Sequence, residues 1–286
     1  MLVVPAFAID QEKIDEKAKH DYTNWLPAKG DWFIGFSLDP VTTFVGNLLN
    51  GSTGTSLKDF AGESMVQPMA SIMGGYMLTD QLSVNANIGL NLVRTHTHTY
   101  VTNDLALMLD PLSRLKVEDI KNLSETSGSI ALGVEYRVGK RAVQGVFGGG
   151  VVYAFGTSNT TYSYGNAITE ANQKPSIASS VSYESYDSYI PNARPLKNFS
   201  ADGKHQLGLY ASVGFEWFVA PKIALGANVN LDLLYSWNPN QYVTYEGWNI
   251  QTLAKEEVTD LKNPISSGFS FGTNNIGANL LMKFYF

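Results

Sequence analysis

From Trp32 to the end of the chain, apolar residues recur at every second position in a series of segments, the period of a β-strand with one apolar face. The series opens with Trp32, Ile34, Phe36 and Leu38 set against Phe33, Gly35, Ser37 and Asp39. It is cleanest in a third segment, where Leu82, Val84, Ala86, Ile88, Leu90 and Leu92 are separated by Ser83, Asn85, Asn87, Gly89 and Asn91. A fourth segment (Ile130 to Val138), a sixth (Leu207 to Val219), a seventh (Ile223 to Tyr235) and a last (Ile276 to Phe286) repeat it. The second (Ala70, Ile72, Gly74, Tyr76, Leu78) and the fifth (Val143, Phe147, Val151, Tyr153, Phe155) are weaker. The fifth lies in an uncharged stretch, 142–169, that also admits a membrane-spanning helix, but Gly148-Gly149-Gly150 and the Ser, Thr and Asn content count against one. The pattern predicts eight strands.

The connections suggest how those strands are joined. Thr79-Asp80-Gln81, Gly139-Lys140-Arg141 and Ala220-Pro221-Lys222 are hairpin-length turns, whereas the stretches at about 39–66, 94–126, 157–205 and 237–268 are long. Short turns on one side and long loops on the other are the signature of an outer-membrane barrel, and closure is required because an open sheet edge in lipid leaves backbone groups unpaired. A soluble sandwich or lipocalin-like barrel also alternates, but its second face should be rich in Lys and Glu. Here the second face is Asn, Gly and Ser with few charges. Aromatic residues gather at segment ends, with Trp32, Tyr76, Tyr136, Trp217, Phe284 and Phe286 toward the short turns and Tyr153, Phe155, Tyr235 and Trp237 toward the loops. The expected fold over 31–286 is therefore all-β: a transmembrane up-and-down antiparallel β-barrel of eight strands with long extracellular loops.

Composition narrows the function classes. The 286 residues are 44% hydrophobic and 16% charged, with no cysteine, which excludes a disordered tail, a disulfide scaffold and a Cys-ligated metal site. A net charge of -6 argues against nucleic acid as a partner. The mean hydropathy is close to that of a soluble protein, as expected when lipid-facing and lumen-facing residues cancel. At the start, MLVVPAFA runs apolar into the small-x-small Ala6-Phe7-Ala8, which reads as a signal-peptide remnant over 1–8 and implies export. Residues 9–30 are charged and read as a periplasmic segment, either a short helix with Ile14 and Ala18 on one face or an extended lead-in, ended by Pro27 and Gly30.

The chain closes on Leu280-Leu281-Met282-Lys283-Phe284-Tyr285-Phe286, an alternating strand with a terminal aromatic. This resembles the C-terminal assembly signal of Gram-negative outer-membrane proteins. With the eight segments, the chain from Trp32 resembles small outer-membrane barrels of the outer membrane protein A and X type, including long-loop forms in Bacteroidota. The resemblance concerns architecture. It implies location in the outer membrane and recognition of Phe284 and Phe286 by the barrel-assembly machinery, and leaves the role of the loops open.

An eight-stranded barrel is just wide enough for side chains to fill it. Alternation directs Glu135, Arg137, Glu216, Asp232 and Lys283 inward, where three acids and two bases must pair. They form either an ion-pair plug, the favoured reading, or a conducting path. Arg94, His96 and His98 follow the third segment on its apolar face, a position suited to lipopolysaccharide phosphates at the outer edge of the lipid. His20 and His205 fall elsewhere, so no metal site and no cofactor are expected. A lipid A-modifying enzyme would need a serine and an acid beside these histidines, and the sequence offers neither a serine at strand spacing nor a G-x-S-x-G elbow. Tyr162, Tyr164, Tyr183, Tyr186 and Tyr189 make the longest loop a candidate recognition surface, or else a solvated cover. In the 94–126 stretch, Asp110-Pro111 with Leu112, Leu115 and Ile120 suggests a short helix whose apolar surface needs cover. The expected role is non-enzymatic: structural, surface-recognising, or accessory to a larger outer-membrane complex, with a narrow porin-like channel as the alternative.

Overall fold

The computed structural model describes residues 22, 24–38, 70–200 and 202–286. The signal-like start, the charged stretch with Ile14, Ala18 and His20, and the 39–66 connection lie outside them. Eleven described strands belong to one antiparallel sheet: β1 (Trp32–Leu38), β2 (Ala70–Met77), β3 (Leu82–Thr102), β4 (Lys116–Val138), β5 (Val143–Ser163), β6 (Ala193–Ser200), β7 (Lys204–Ala220), β8 (Ile223–Asn238), β9 (Gln241–Asn249), β10 (Ala254–Asn263) and β11 (Ser266–Tyr285). One short helix, α1 (Asp104–Leu109), joins β3 to β4. No helix of the described residues is long and apolar enough to cross a membrane, and the uncharged 142–169 stretch enters the sheet as β5.

The pairings form a circuit. They run β1–β2–β3–β4–β5, pass from β5 to β7, continue through β8 to β11, and return from β11 to β1. The eight alternating segments fall on these strands. The other three, β6, β9 and β10, arise in stretches that the sequence pattern reads as loops, and they build a second region in which β5 pairs β6, β6 pairs β9 and β9 pairs β10. The 94–126 stretch is likewise not an open loop, because β3 and β4 stay in register from Leu82↔Tyr136 to Thr102↔Lys116. The helix there also differs from expectation. Asn103 caps it by accepting from the Ala106 N–H at 3.0 Å, and Asp110 ends it, so Asp110-Pro111 stops a helix instead of starting one. Ile120 lies in β4.

Side-chain polarity is inverted relative to a soluble protein. The apolar members of each segment, among them Ile34, Ile88, Leu90, Leu132, Phe215 and Trp217, point outward and are exposed. The polar or ionic members, such as Ser37, Ser83, Glu135, Arg137, Gln144, Glu216 and Lys283, point into the ring and are buried. An apolar cluster of Phe33, Met73, Met77, Phe218, Ala224, Leu281 and Tyr285 fills the ring at its short-turn end. The Phe33 ring lies over Gly75, where a Cβ would strike the ring and sit 2.6 Å from the Val84 carbonyl. Trp25 and Leu26 pack against this cluster from below. Their segment is tied down by the Gly30 N–H to the Met77 carbonyl (2.9 Å), the Lys222 N–H to the Trp25 carbonyl (3.0 Å), and an ion pair between Lys222 and Asp31. Residues 24–31 thus form a floor of turns under the ring.

Candidate functional site

Four of the five charged residues expected inside meet at one level, among the side chains of the apolar cluster. Lys283 Nζ lies 2.6 Å from Glu135 Oε2 and 2.6 Å from Glu216 Oε1. Arg137 Nε is 3.2 Å from Glu216 Oε2, and its Nη2 is 3.6 Å from Glu135. Arg137, Glu216 and Lys283 are each 1% exposed, so the charges compensate one another without help from bulk water. Two neighbours absent from the sequence-based set complete the group. The Tyr285 hydroxyl donates to Glu216 Oε2 at 3.0 Å and accepts from Arg137, and Arg137 Nη1 reaches the Met77 sulfur at 2.9 Å. The signal for Tyr285 is its parity: it shares the inward face of the last strand with Lys283. Two acids against two bases leave no net charge, so the quartet is a neutral bolt across the ring.

Asp232 is not part of it. It pairs across from Tyr210, six residues along β7 from Glu216, and lines a chamber of about 180 Å³ above the quartet. The chamber wall is mostly amide and hydroxyl, including Asn85, Asn87, Asn228, Asn230 and Ser212.

Arg94, His96 and His98 stand in a column on the outer face of β3. Arg94 Nη1 donates to the carbonyls of Val93 (2.9 Å) and Glu125 (3.0 Å). His96 Nδ1 meets Asn122 Oδ1 at 2.6 Å, and His98 Nδ1 meets Glu118 Oε1 at 2.9 Å. Neither cross-strand partner is signalled by the alternation, because pairing between β3 and β4 depends on a register that the apolar pattern does not carry this far. His205 sits elsewhere in a stack, with ring centroids 6.1 Å from Tyr153 and 5.3 Å from Trp237, and its Nδ1 is 2.8 Å from the Tyr153 hydroxyl. Among the described residues, no group of three or more His, Asp, Glu or Cys could hold a metal. Phe286 closes the last pairing of the circuit, its N–H and carbonyl exchanging 2.9 Å bonds with Trp32, while Phe284 pairs across from Ile34.

The loop region has a core of its own. Arg194 is buried, donates to Glu246 Oε1 (2.8 Å) and to the Asn166 carbonyl (2.8 Å), and lies over the Tyr164 ring. Asp119 accepts from the backbone N–H groups of Gly165 (3.0 Å) and Ala178 (2.8 Å), pinning the 164–192 stretch to β4. Tyr164 and Tyr183 belong to this packing, each donating to a carbonyl at 2.6 Å, and burial pushes the Tyr183 hydroxyl up to about 12 against the opposing charge of Arg194. Tyr186 and Tyr189 remain exposed, which reduces the aromatic recognition surface to a part of what the sequence suggested. Leu105, Leu109, Leu112 and Leu115 at the tip of the β3–β4 hairpin are also exposed.

Among solved structures, the chain is similar to the outer membrane protein OprG from Pseudomonas aeruginosa, with 13% identity over 92% of this chain and 98% of that one and a TM-score of 0.31. It is also similar to a major outer membrane protein from Thermus thermophilus (10% identity, 90% and 99% coverage, TM-score 0.38). A third is the outer membrane protein AlkL in DMPC lipid bilayers (11% identity, 91% and 91% coverage, TM-score 0.30). Likeness at that level transfers neither a site nor an activity. No family model matches the sequence, and no curated protein matches it.

Proposed function

We propose that the chain is an outer-membrane β-barrel whose eight circuit strands span the bilayer, whose lumen is bolted shut, and whose work is done at the surface by its outer loop region without enzymatic chemistry. The observation that carries this reading is the inverted polarity of the wall: apolar side chains outside, a compensated ionic quartet inside. A soluble barrel would lose stability by wetting so many leucines, valines and phenylalanines, whereas lipid accepts them. The dimensions agree. From Leu82 to Leu92, the outward apolar run of β3 covers ten residue steps, which at about 3.3 Å each and a tilt near 40° rise about 25 Å, the height of the apolar band of such barrels. Trp32, Tyr76 and Tyr136 mark one edge of the band, and Tyr153, Tyr235 and Trp237 the other. Short turns and the floor segment would then face the periplasm, and the α1 tip with the β6–β9–β10 region the exterior. On this reading the chain is a small barrel of the outer membrane protein A and X type, and the barrel-assembly machinery would act on the terminal strand.

Planar-bilayer recording tests the sealed lumen. The expected result for the folded protein, verified by its heat-dependent mobility on a gel, is no steady conductance; regular single-channel steps would overturn it in favour of a narrow channel through the chamber beside Asp232. Lipid A from cells with and without the protein should have the same mass, and a difference would establish a lipid-modifying enzyme. Extraction in mild detergent followed by mass measurement then separates a lone surface protein from a subunit of a larger outer-membrane complex.

A further inference from the structure

The outer face of β3 changes chemistry within two residues. Leu90 and Leu92 are 69% and 71% exposed, and the next outward positions are Arg94, His96 and His98, followed by exposed Tyr100. With outward residues about 6.6 Å apart along a tilted strand, Arg94 sits roughly 5 Å above the last leucine. That is where the phosphate and sugar groups of an outer-leaflet lipid lie.

The neighbouring strands offer matching groups at the same levels. Arg94 is opposite Ser124, which is opposite Asn159; His96 is opposite Asn122, which is opposite Thr161. Asn122 links the second row, its Nδ2 donating to Thr161 Oγ1 at 3.5 Å. This is a wall of hydroxyl and amide groups beside a column of one arginine and two histidines, continuous with the apolar belt beneath it. The column is set in place. Both hydrogen bonds of the Arg94 side chain to described residues go through Nη1, and the residue is exposed. The rings of His96 and His98 are each held through Nδ1, and among the described residues Nε2 is left for an outside partner. There it accepts from a sugar hydroxyl or donates to a phosphate oxygen, according to the tautomer. Glu118 is the acid in the column, and it is engaged with His98.

We propose that Arg94, His96 and His98, with the amide and hydroxyl wall of β4 and β5, bind the phosphorylated sugar headgroup of lipopolysaccharide in the outer leaflet. This rests on the outer-membrane reading above. A flexible surface lysine supplies charge alone; an arginine anchored on two carbonyls holds its guanidinium beside the polar wall and keeps further N–H donors that suit a phosphate.

The test uses the whole chain in detergent micelles with fluorescent rough lipopolysaccharide as probe. Binding should weaken about tenfold for Arg94→Ala and further for Arg94→Ala with His96→Ala, and chemically dephosphorylated lipopolysaccharide should bind as poorly to the wild type as the intact lipid does to Arg94→Ala. Unchanged binding in a variant that keeps its heat-dependent mobility would overturn the proposal. So would equal binding of the dephosphorylated lipid, or competition by inorganic phosphate at concentrations equal to the probe, which would mark a general anion site. Insertion into pure phosphatidylcholine vesicles separates the two readings. Failure of the wild type to insert defeats the outer-membrane reading; insertion without lipopolysaccharide binding defeats the column alone.

Discussion

Lys283 contacts Glu135 and Glu216 at the same 2.6 Å, so its removal leaves two buried carboxylates sharing a single guanidinium. Breaking a buried pair from one side costs about 3–5 kcal/mol, because the partner stays desolvated and uncompensated. Lys283→Met should therefore lower the urea midpoint of the folded barrel strongly. Lys283→Met combined with Glu135→Gln removes one charge of each sign and should recover much of the loss. Equal destabilisation by the single and double variants would mean that the lysine stem, and not its charge, is what matters. The same group shows what alternation can and cannot tell. Parity along β4, β7, β8 and β11 places Glu135, Arg137, Glu216, Asp232 and Lys283 on the inward face, but carries no height. Height depends on the stagger between strands, and the register lifts Asp232 six residues above the quartet and brings Tyr285 and Met77 into it.

At the scale of elements, the β3–β4 hairpin and the 164–192 stretch act as one unit because acidic side chains on the first hold backbone N–H groups of the second. Asp104 is the clearest case. Partial burial works to raise its pKa, but donation from Asn172 Nδ2 (2.9 Å) and the Ser176 N–H (2.6 Å) outweighs it, and the carboxyl is held below its usual range. A carboxyl lowered in the folded state contributes stability that is complete above its unfolded pKa of about 4 and is lost as pH falls through the folded value. Exchange protection at the Ser176 amide should be constant from neutral pH down to about 4 and fall below it. Asp104→Asn should show the lowered protection at neutral pH, by about 1 kcal/mol, with β3 and β4 unaffected. Protection that does not differ between Asp104→Asn and wild type would assign the pinning to Asp119 alone. This unit was poorly legible in the sequence for a physical reason. In THTHTYV of β3 both faces carry mostly polar side chains, and in QYVTYEGWN of β9 residues of both faces are buried, so neither keeps the apolar alternation that marks the circuit strands, and only their β-branched and aromatic content remains as a signal.

For the whole molecule, closure depends on the first and last strands of the circuit, and Phe286 stands where they meet. Its backbone exchanges two hydrogen bonds with Trp32, while its side chain, 66% exposed, adds to the aromatic edge beside Trp32 and Tyr76. Phe286→Ala keeps both backbone bonds and removes only the ring. Because an interfacial aromatic already exposed at the edge loses little packing, the variant refolded in detergent should match the wild-type urea midpoint to within about 1 kcal/mol. If the terminal aromatic is what the assembly machinery recognises, the amount of assembled, heat-modifiable barrel in cells should nevertheless fall several-fold. A drop in both settings would make the ring a structural element of the seam, and no drop in either would make it dispensable. Deleting Phe286 is the complementary test, since it also strips the Trp32 N–H and carbonyl of their partners at the edge of the lipid, where an unpaired backbone group is costly. The deletion should therefore weaken refolding in detergent where the alanine variant does not.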